Sequence, residues 1–588
     1  MERITNIYKK LVFAIVFISG MFLTSCTDYL TIIPPSVVVH EDFWHTEAEV
    51  NGMKATAYLT LCNGTCLRNA IVWGETRAET VDYPAASNDD GIKNLTEGLL
   101  YDDNGYASWS EYYKAINYCN LVMEFGPTVL EHDPNFTESE MDVVRGEMLA
   151  LRAYAHFVLL RAFCNIPLAT QVVINDAEIP DYPQAHPMDA LKSIYDDLET
   201  ASHLVLRSSV NNAENLGIIT TNAVYSLMAD VNMWQAAFTK YYTNPETSDA
   251  SYTPDVEDAD YYYNLAIENC TKVLDAMDVI YKEFNTDRFE KPTAYNLLVN
   301  DGLKTAREAG FCSVYDEIFG EKMNSRESIF EFQIDDKNYG KGGNGISSAF
   351  GAGGNSGGMY VVQESFLKDY FEDDDLRKYS FTTQSVSNTG SADKITDVYV
   401  AKYTIKNTPT TAGAAPTYRS SSEYDAHWIM YRKTEIMLTK AEALVSREVL
   451  SPEDIKTAFD MTAAINKRWR MDTTNITNPL DFESYSAATK CLELVRKERA
   501  RELCFEGRRW YDIVRMALQN EIEEAHKSFA NKRFMDNGDI NDDEMKRRLF
   551  HISAYFMPIS KDEIRYNPLL VQNKSCRTSD DDNSITQN

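Results

Sequence analysis

The chain has 588 residues, 44% of them hydrophobic, which is enough apolar material for one large body or several domains with a substantial core. Its formal net charge is −32, and so acidic a surface repels phosphate backbones and anionic lipid headgroups. Nucleic-acid binding and electrostatic attachment to a membrane are therefore disfavoured. Any membrane attachment must be covalent or come from an apolar span.

The N-terminus reads as an export signal. A basic pair precedes an apolar run from Leu11 to Leu23, which is too short to span a bilayer and suits a signal peptide. The segment 23–26 resembles a bacterial lipobox, which implies a signal peptide over residues 1–25, cleavage before Cys26 and acylation of Cys26. Acyl chains each add about 0.8 kcal/mol per buried methylene, so several of them anchor a protein stably. The alternative is a plain secretory signal followed by an unrelated cysteine.

Cysteine and histidine usage indicates no metal chemistry. Cys62 and Cys66, with a glycine between them, are the local disulfide candidate among ten thinly spread cysteines. The nine histidines form no cluster with zinc-ligand spacing. We therefore predict no metal site and no cofactor.

The first part of the mature chain mixes a tether, a helix and an irregular stretch. Residues 26–40, with a Pro-Pro pair, predict an extended tether, and His40 to Leu61 predicts a helix. Residues 62–104 are rich in Gly, Asn and Asp, include three large aromatics and predict irregular structure. Long loops that carry aromatics in a compact body are often functional.

Helical periodicity dominates the next 170 residues. The pattern predicts helices at about 109–120, 141–164, 187–206, 220–241 and 259–277. From about 280 to 425 the periodicity fades, and short strand-like pieces appear at 328–334 and 398–403. Helices resume at about 428–444 and 452–470.

Three motifs in this chain suggest chemistry without the context that chemistry needs. Residues 340–345 match G-x-G-x-x-G and residues 354–358 match G-x-S-x-G, but more glycine stands where a strand and a helix should flank each motif. Residues 536–542 are acidic but lack the spacing of a calcium loop, so a solvated turn is favoured over a cation site.

The stretch from Cys491 to Arg515 has charged residues inside an apolar helical stripe. Arg499 and Glu506 lie on that stripe, and a charge facing a core is costly unless it is paired. We therefore expect both to bond each other or neighbouring chain. Gly507 in a helix costs about 0.5–1 kcal/mol relative to alanine, which indicates close packing of another backbone. A solvated, charge-laced helix is the alternative.

This same stretch carries a family resemblance. Residues 498–515 are similar to the ER-x-E-L-x-F-E-G-x-R signature of SusD/RagB-type proteins, which are nutrient-binding outer-membrane lipoproteins acting beside TonB-dependent transporters. Residues 109–120, 150–168 and 556–573 resemble further segments of that family, whereas 62–104 and 280–425 do not. The resemblance implies that one set of residues forms a structural helix motif rather than a ligand site: Arg499, Glu502, Glu506, Gly507, Arg508, Trp510, Asp512 and Arg515.

The resemblance also implies an architecture. We expect a mainly α fold, with a tetratricopeptide-like helical-repeat scaffold, long irregular loops and a few short β-strands. After the signal peptide and the tether, residues 41–588 should form a single SusD-like body. The scaffold is expected at about 41–61, 105–278 and 427–518, and the variable ligand-side insertions at about 62–104 and 280–425.

The function that the resemblance implies is non-catalytic. A SusD-like protein captures oligo- or polysaccharide at the cell exterior and delivers it to a SusC-like TonB-dependent transporter, held to outer-membrane lipid through Cys26. A lipid-anchored glycan hydrolase, a peptide-binding subunit of such a transporter, and a subunit that caps the transporter without touching ligand are the alternatives. No short motif isolates a catalytic carboxylate pair among the 89 acidic residues.

Candidate ligand contacts come from the irregular regions, because the helices should form the scaffold. Sugar rings stack on aromatics, while Asn, Asp and Arg read hydroxyls. For each candidate, core packing or plain exposure is the competing explanation. The candidates are Trp73, Tyr83, Tyr101, Tyr339 and Tyr360, with Arg77, Asn88 and Asp89 as polar partners.

Overall fold

A computed structural model describes most of the chain. The described residues are 43–174, 180–209, 217–244, 258–284, 295–300, 312–321, 323–334, 345–352, 358–389, 392–409, 411, 414–421, 424–472, 476, 478–528 and 542–577. Cys26 and Tyr339 lie outside them, as do the tether, the acidic segment 536–541 and most of the glycine-rich motifs.

The described chain is mainly helical, as expected. The longer helices are α1 (Glu47–Leu61), α2 (Gly64–Glu75), α3 (Asp90–Thr96), α4 (Ser110–Phe125), α5 (Glu138–Phe163), α6 (Pro187–Leu204), α7 (Thr221–Thr243) and α8 (Ala259–Phe284). The second half has α9 (Ser313–Ile318), α10 (Gly345–Phe350), α11 (Glu364–Tyr370), α12 (Arg377–Ser380), α13 (Lys433–Ser446), α14 (Pro452–Arg468), α15 (Ala488–Leu503), α16 (Arg509–Leu518), α17 (Ile522–Lys527), α18 (Asp542–Arg548) and α19 (Lys561–Tyr566). Short 3-10 turns lie at Gly126–Glu131, Phe482–Tyr485 and Ile552–Tyr555.

The strands are few and short, and each pairs with one partner. They are β1 (Val81–Asp82), β2 (Ile166–Pro167), β3 (Gln184–Ala185), β4 (Ser328–Phe332), β5 (Val361–Val362), β6 (Thr382–Thr389), β7 (Ala392–Val400), β8 (Ile405–Asn407), β9 (Thr417–Tyr418) and β10 (Trp428–Arg432). The antiparallel pairs are β1–β5, β2–β3, β4–β10, β6–β7 and β8–β9.

The helices stack in sequence order, which is the expected repeat arrangement. Each of α4 to α7 packs on the next helix along the chain. The series then skips the irregular middle region, because α8 packs on α13, which in turn packs on α14 and α15. Such a stack buries one face of every helix against its neighbour, so the scaffold needs no large sheet.

Two helices occupy residues 62–104, where irregular structure was predicted, so that prediction was wrong. The Asn63 side chain accepts a hydrogen bond from the Cys66 amide at 2.8 Å and caps α2. The Asp89 carboxylate accepts one from the Ile92 amide at 3.0 Å and caps α3. Asn and Asp were interpreted as loop formers here, but both act as helix N-caps, where they are among the preferred residues.

The stretch 491–515 is two helices rather than one. α15 ends at Leu503, and Phe505 and Gly507 both adopt a left-handed backbone, with φ of +66° each, before α16 begins at Arg509. The close approach expected at Gly507 is present, because a Cβ there would lie 3.1 Å from the Ala70 carbonyl oxygen of α2. The glycine therefore serves a chain reversal against α2 rather than a continuous helix.

A large hydrophobic core runs through the scaffold and both proposed insertions, from Trp44 to Leu570. Cys62 and Cys66 are free and buried, so no disulfide joins them. Among the described residues no helix is both long and apolar enough to cross a bilayer.

Candidate ligand-binding surface

The chain reversal at residues 504–508 fixes the position of α2. A Cβ on Gly74 would lie 2.0 Å from the Gly507 carbonyl oxygen, so the two backbones touch. One oxygen of the Glu75 carboxylate accepts hydrogen bonds from the Phe505 amide at 3.0 Å and the Thr80 hydroxyl at 2.7 Å. Burial raises the pKa of Glu75 to about 7. The family-like motif thus holds the C-terminal end of α2 in place.

Arg77 strengthens this junction and is not a ligand contact. Its guanidinium donates to the Ala554 and Tyr555 carbonyl oxygens at 3.0 and 2.8 Å and lies 4.3 Å from the centre of the Trp510 ring. The side chain is buried, and burial lowers the pKa of Arg77 to about 9. The expectation that Arg77 reads hydroxyls at the surface was wrong, because carbonyl oxygens of the C-terminal segment enclose its donors.

A buried ion-pair network surrounds Glu502. Its carboxylate accepts from Arg432 at 2.6 Å, Arg468 at 2.7 Å and Arg377 at 3.1 Å. Burial alone would raise the pKa of Glu502, but these three arginines lower it well below its ordinary value. Glu506 accepts from Lys402 at 2.6 Å and from Arg432 at 2.7 Å. Every charge in this network has a partner, which is what a buried charge requires.

A second network lies on the other side of the motif. Arg499 donates to Asp512 at 3.0 Å, and Arg515 donates to Asp512 at 2.7 Å and to Glu442 at 3.0 Å. Arg508 forms an ion pair with Glu435 at 3.3 Å. Arg499 and Glu506 are therefore paired with neighbouring chain, as predicted, though not with each other.

Three of the aromatic candidates belong to the core, so the expectation that they contact ligand was wrong. Trp73, Tyr83 and Tyr360 are each at most 1% exposed. The Trp73 indole donates to the Tyr106 carbonyl oxygen at 2.8 Å, and the Tyr360 hydroxyl shares a hydrogen bond of 2.6 Å with Thr76. These rings leave no face for a sugar, and the Trp73 indole instead supports the backbone at Tyr106.

Next to these rings lies a group of polar and aromatic side chains, here called the Tyr106 cluster, in which Arg68, Asp89 and Met359 are half-buried and Asn104 and Tyr106 are buried. The Tyr106 hydroxyl donates to Asp89 at 2.6 Å and approaches the Met359 sulfur at 3.8 Å. The Arg68 guanidinium lies 5.4 Å from the centre of the Tyr106 ring. Burial and the bond to Asp89 raise the pKa of the Tyr106 phenol, so its hydroxyl remains a donor.

Short-range bonds fix the backbone of this cluster. The Asn104 side-chain nitrogen donates to the Gly91 carbonyl oxygen at 3.1 Å, and the Asn104 side-chain oxygen accepts from the Tyr106 backbone amide at 3.0 Å. Asn104 thereby joins the loop before α4 to the first turn of α3. Asp89, Asn104 and Tyr106 are preorganised in this way, because each is hydrogen-bonded to a neighbour.

The remaining candidates lie beside the cluster. Asn88 is exposed and directly precedes Asp89, and Tyr101 is half-buried in the same loop as Asn104. As ligand contacts, Asn88, Asp89 and Tyr101 stay predictions.

Sequence reasoning missed four members of the cluster. Arg68, Asn104, Tyr106 and Met359 were not singled out. Asn63 could have been interpreted as a helix N-cap, which would predict a helix over residues 64–75. In that helix Arg68 lies outside the apolar face, so it could have been considered as a surface residue.

The side chains of the cluster can form hydrogen bonds and ion pairs. It offers a cationic fork, a carboxylate, an amide and a thioether at a partly open surface. Within the described ranges no three His, Cys, Asp or Glu side chains are grouped so that they could hold a metal ion.

The fold and this surface define a class: a large helical-repeat scaffold that carries a partly open polar surface. Two family models match the chain, one described as the SusD family over residues 376–575 and one as starch-binding, associating with outer membrane, over residues 69–233. The chain belongs to the SusD/RagB-like family.

Relatives and solved structures agree with this assignment. The SusD-like protein P38 of Formosa agariphila is 22% identical over 559 residues, covering 89% of this chain and 93% of that protein. A SusD superfamily protein of Bacteroides thetaiotaomicron has a TM-score of 0.61 at 18% identity, covering 90% of this chain and 99% of that one. A structure titled laminarin binding SusD-like protein has a TM-score of 0.58 at 18% identity, covering 90% and 100%. At these identities the structures are evidence for the fold alone.

Proposed function

We propose that this protein is a non-catalytic, cell-surface glycan-binding lipoprotein. It captures oligo- or polysaccharide and delivers it to a partner TonB-dependent outer-membrane transporter. Support comes from the family model described as starch-binding and associating with outer membrane, and from a fold neighbour titled as laminarin-binding.

The observation that carries the proposal is the Tyr106 cluster. Its Arg68 and Asp89 side chains lie half-buried at the surface, and preorganised polar groups are what glycan hydroxyls need for tight, oriented binding. Tyr106 itself is 8% exposed, so it orients Asp89 and supports Arg68 rather than offering a ring face to a sugar. Exposed Asn88 extends the polar surface next to Asp89.

Attachment and delivery complete the proposal. Acylated Cys26 would hold the protein to outer-membrane lipid, and a SusC-like transporter would receive the glycan. Metabolic labelling with a radioactive fatty acid tests the anchor: wild type should incorporate label and C26S should not. Affinity purification from detergent extracts should recover the transporter, and its absence would contradict delivery.

Glycan binding is tested by calorimetric titration of the mature protein against oligosaccharides selected on a glycan array. The variant D89N keeps the cap of α3, because Asn also caps helices, but removes the charge. We expect N88A and D89N to weaken binding by about 10-fold each, the equivalent of one or two lost hydrogen bonds. The control D275A changes an exposed aspartate on α8, distant in sequence, and should bind as wild type does.

Two results would contradict the proposal. Unchanged affinity in N88A and D89N would remove the Tyr106 cluster as the binding surface. Release of shorter oligosaccharides during incubation with purified protein would replace a binding protein with a hydrolase.

A further inference from the structure

Arg68 is partly buried and, unlike most buried arginines of the described residues, has no carboxylate partner. In a chain of net charge −32, the enclosed arginines of the described part are mostly held by acids. Examples are Arg152 with Asp197, Arg377 with Asp375, Arg432 with Glu502, Arg468 with Glu327 and Arg509 with Glu79. Arg68 makes neither an ion pair nor a hydrogen bond within the described residues. Its cation therefore remains available at the surface.

The position of the Arg68 guanidinium leaves its fork open. The Nε atom is enclosed and has no hydrogen-bond partner, whereas the two terminal nitrogens are not enclosed. The group lies over the Tyr106 ring, with 5.4 Å from Cζ to the ring centre. An arginine fixed on an aromatic face keeps its planar donors in one orientation, which favours two-point binding of a planar or tetrahedral anion.

The nearest acid of the cluster is already engaged. One oxygen of Asp89 accepts from the Ile92 amide at 3.0 Å, and the other accepts from the Tyr106 hydroxyl at 2.6 Å. Asp89 therefore attracts Arg68 only at a distance and does not occupy its donors. A counterion for the Arg68 fork has to come from outside the described residues.

We propose that Arg68 binds an anionic group of the ligand, so that the captured glycan is acidic and carries a carboxylate or a sulfate ester. This inference rests on the proposed function and narrows its substrate class. The overall negative charge opposes it weakly, because exposed charges beyond about 8–10 Å are screened at physiological salt. The contact at Arg68 is short-range and is not screened in this way.

The test is a glycan array printed with matched neutral, carboxylated and sulfated forms of each backbone, followed by calorimetry on the selected sets. The mature wild-type protein should bind an acidic form at least about 10-fold more tightly than its neutral counterpart. R68M should lose about 10- to 100-fold of affinity for the acidic form and much less for the neutral one. Comparison of the carboxylated with the sulfated forms shows which of the two anionic groups Arg68 binds.

Two further variants keep the result interpretable. R68K retains the charge and loses the planar fork, so its affinity for the acidic form should lie between those of wild type and R68M. R145M changes an exposed arginine of α5 and should match wild type. Thermal melting of each variant checks that it is folded, and R68K serves as the decisive variant if R68M melts early.

The outcomes are distinct. A neutral form bound as well as the acidic form by wild type, with R68M and R68K unchanged, would overturn the inference and leave glycan binding intact. Absence of binding to every form would overturn the proposed function itself. Preference of wild type for the acidic over the neutral form that is lost in R68M and partly kept in R68K would support the inference.

Discussion

The contact between Gly74 and Gly507 makes a quantitative prediction for G74A. The new Cβ would lie 2.0 Å from the Gly507 carbonyl oxygen and 2.5 Å from its carbonyl carbon. Both obstacles are backbone, so α2 and the chain reversal must separate by about 1 Å. Overpacking costs about 1–3 kcal/mol, and a backbone obstacle places this case at the upper end. Alanine returns about 0.5–1 kcal/mol of helix propensity, which leaves a net loss of about 2 kcal/mol.

A matched control is available in α1. Gly52 is also inside a helix, and a Cβ there would meet nothing within 4 Å, so G52A should raise stability by about 0.5–1 kcal/mol. Denaturant unfolding followed by circular dichroism compares the two variants directly. If G74A were as stable as G52A, the two backbones could not be in contact, and the account of how α2 is held would be wrong.

Three further predictions concern buried polar groups. Glu75 should lower the stability of the wild type by up to about 3 kcal/mol as pH rises from 4.5 to about 7, because the folded state keeps a proton on Glu75 that the unfolded chain has lost. E75Q should abolish this contribution in pH-dependent melts. R377M should cost about 3–5 kcal/mol by denaturant titration, since it strips a cation from three buried carboxylates. Y360F should cost about 1–2 kcal/mol in the same assay by leaving the Thr76 hydroxyl unpaired.

Controls for these variants come from exposed residues. E124Q and R145M make the same chemical changes on solvent-facing positions of α4 and α5 and should shift stability by less than about 0.5 kcal/mol. An E75Q melt with the same pH dependence as wild type would mean that the folded protein carries an ionised Glu75. An R377M loss no larger than that of R145M would mean that the buried carboxylates find other partners.

The scaffold could be predicted from the sequence because its signals are local. The periodic helices at 187–206 and 220–241 appear with boundaries close to those predicted, and the helix predicted at 259–277 begins where expected but continues to Phe284. It could be anticipated that Arg499 and Glu506 each bond a partner, because a charge on the apolar face of a helix is costly to bury unless it is paired.

The site could not be predicted in the same way, because long-range contacts decide which aromatics are covered. Tyr83 and Tyr360 look like loop residues in the sequence, but β1 pairs with β5 across about 280 positions and buries both. Gln363 also donates to Asp82 at 2.8 Å across that distance. No local pattern reports such a pairing, so Tyr106 and Arg68 were passed over in favour of rings that are buried in the core.

The network around Glu502 sets a condition for building chimeras. Arg377 and Lys402, which neutralise the acids of the motif, both come from the segment 358–425, whose residues from 376 onward lie within the range that the SusD family model matches. A graft that replaces this segment to change ligand preference must bring a cation to each of these two places. Without these cations, Glu502 and Glu506 would remain buried with part of their charge unneutralised, and the helical scaffold that carries the grafted segment would be destabilised.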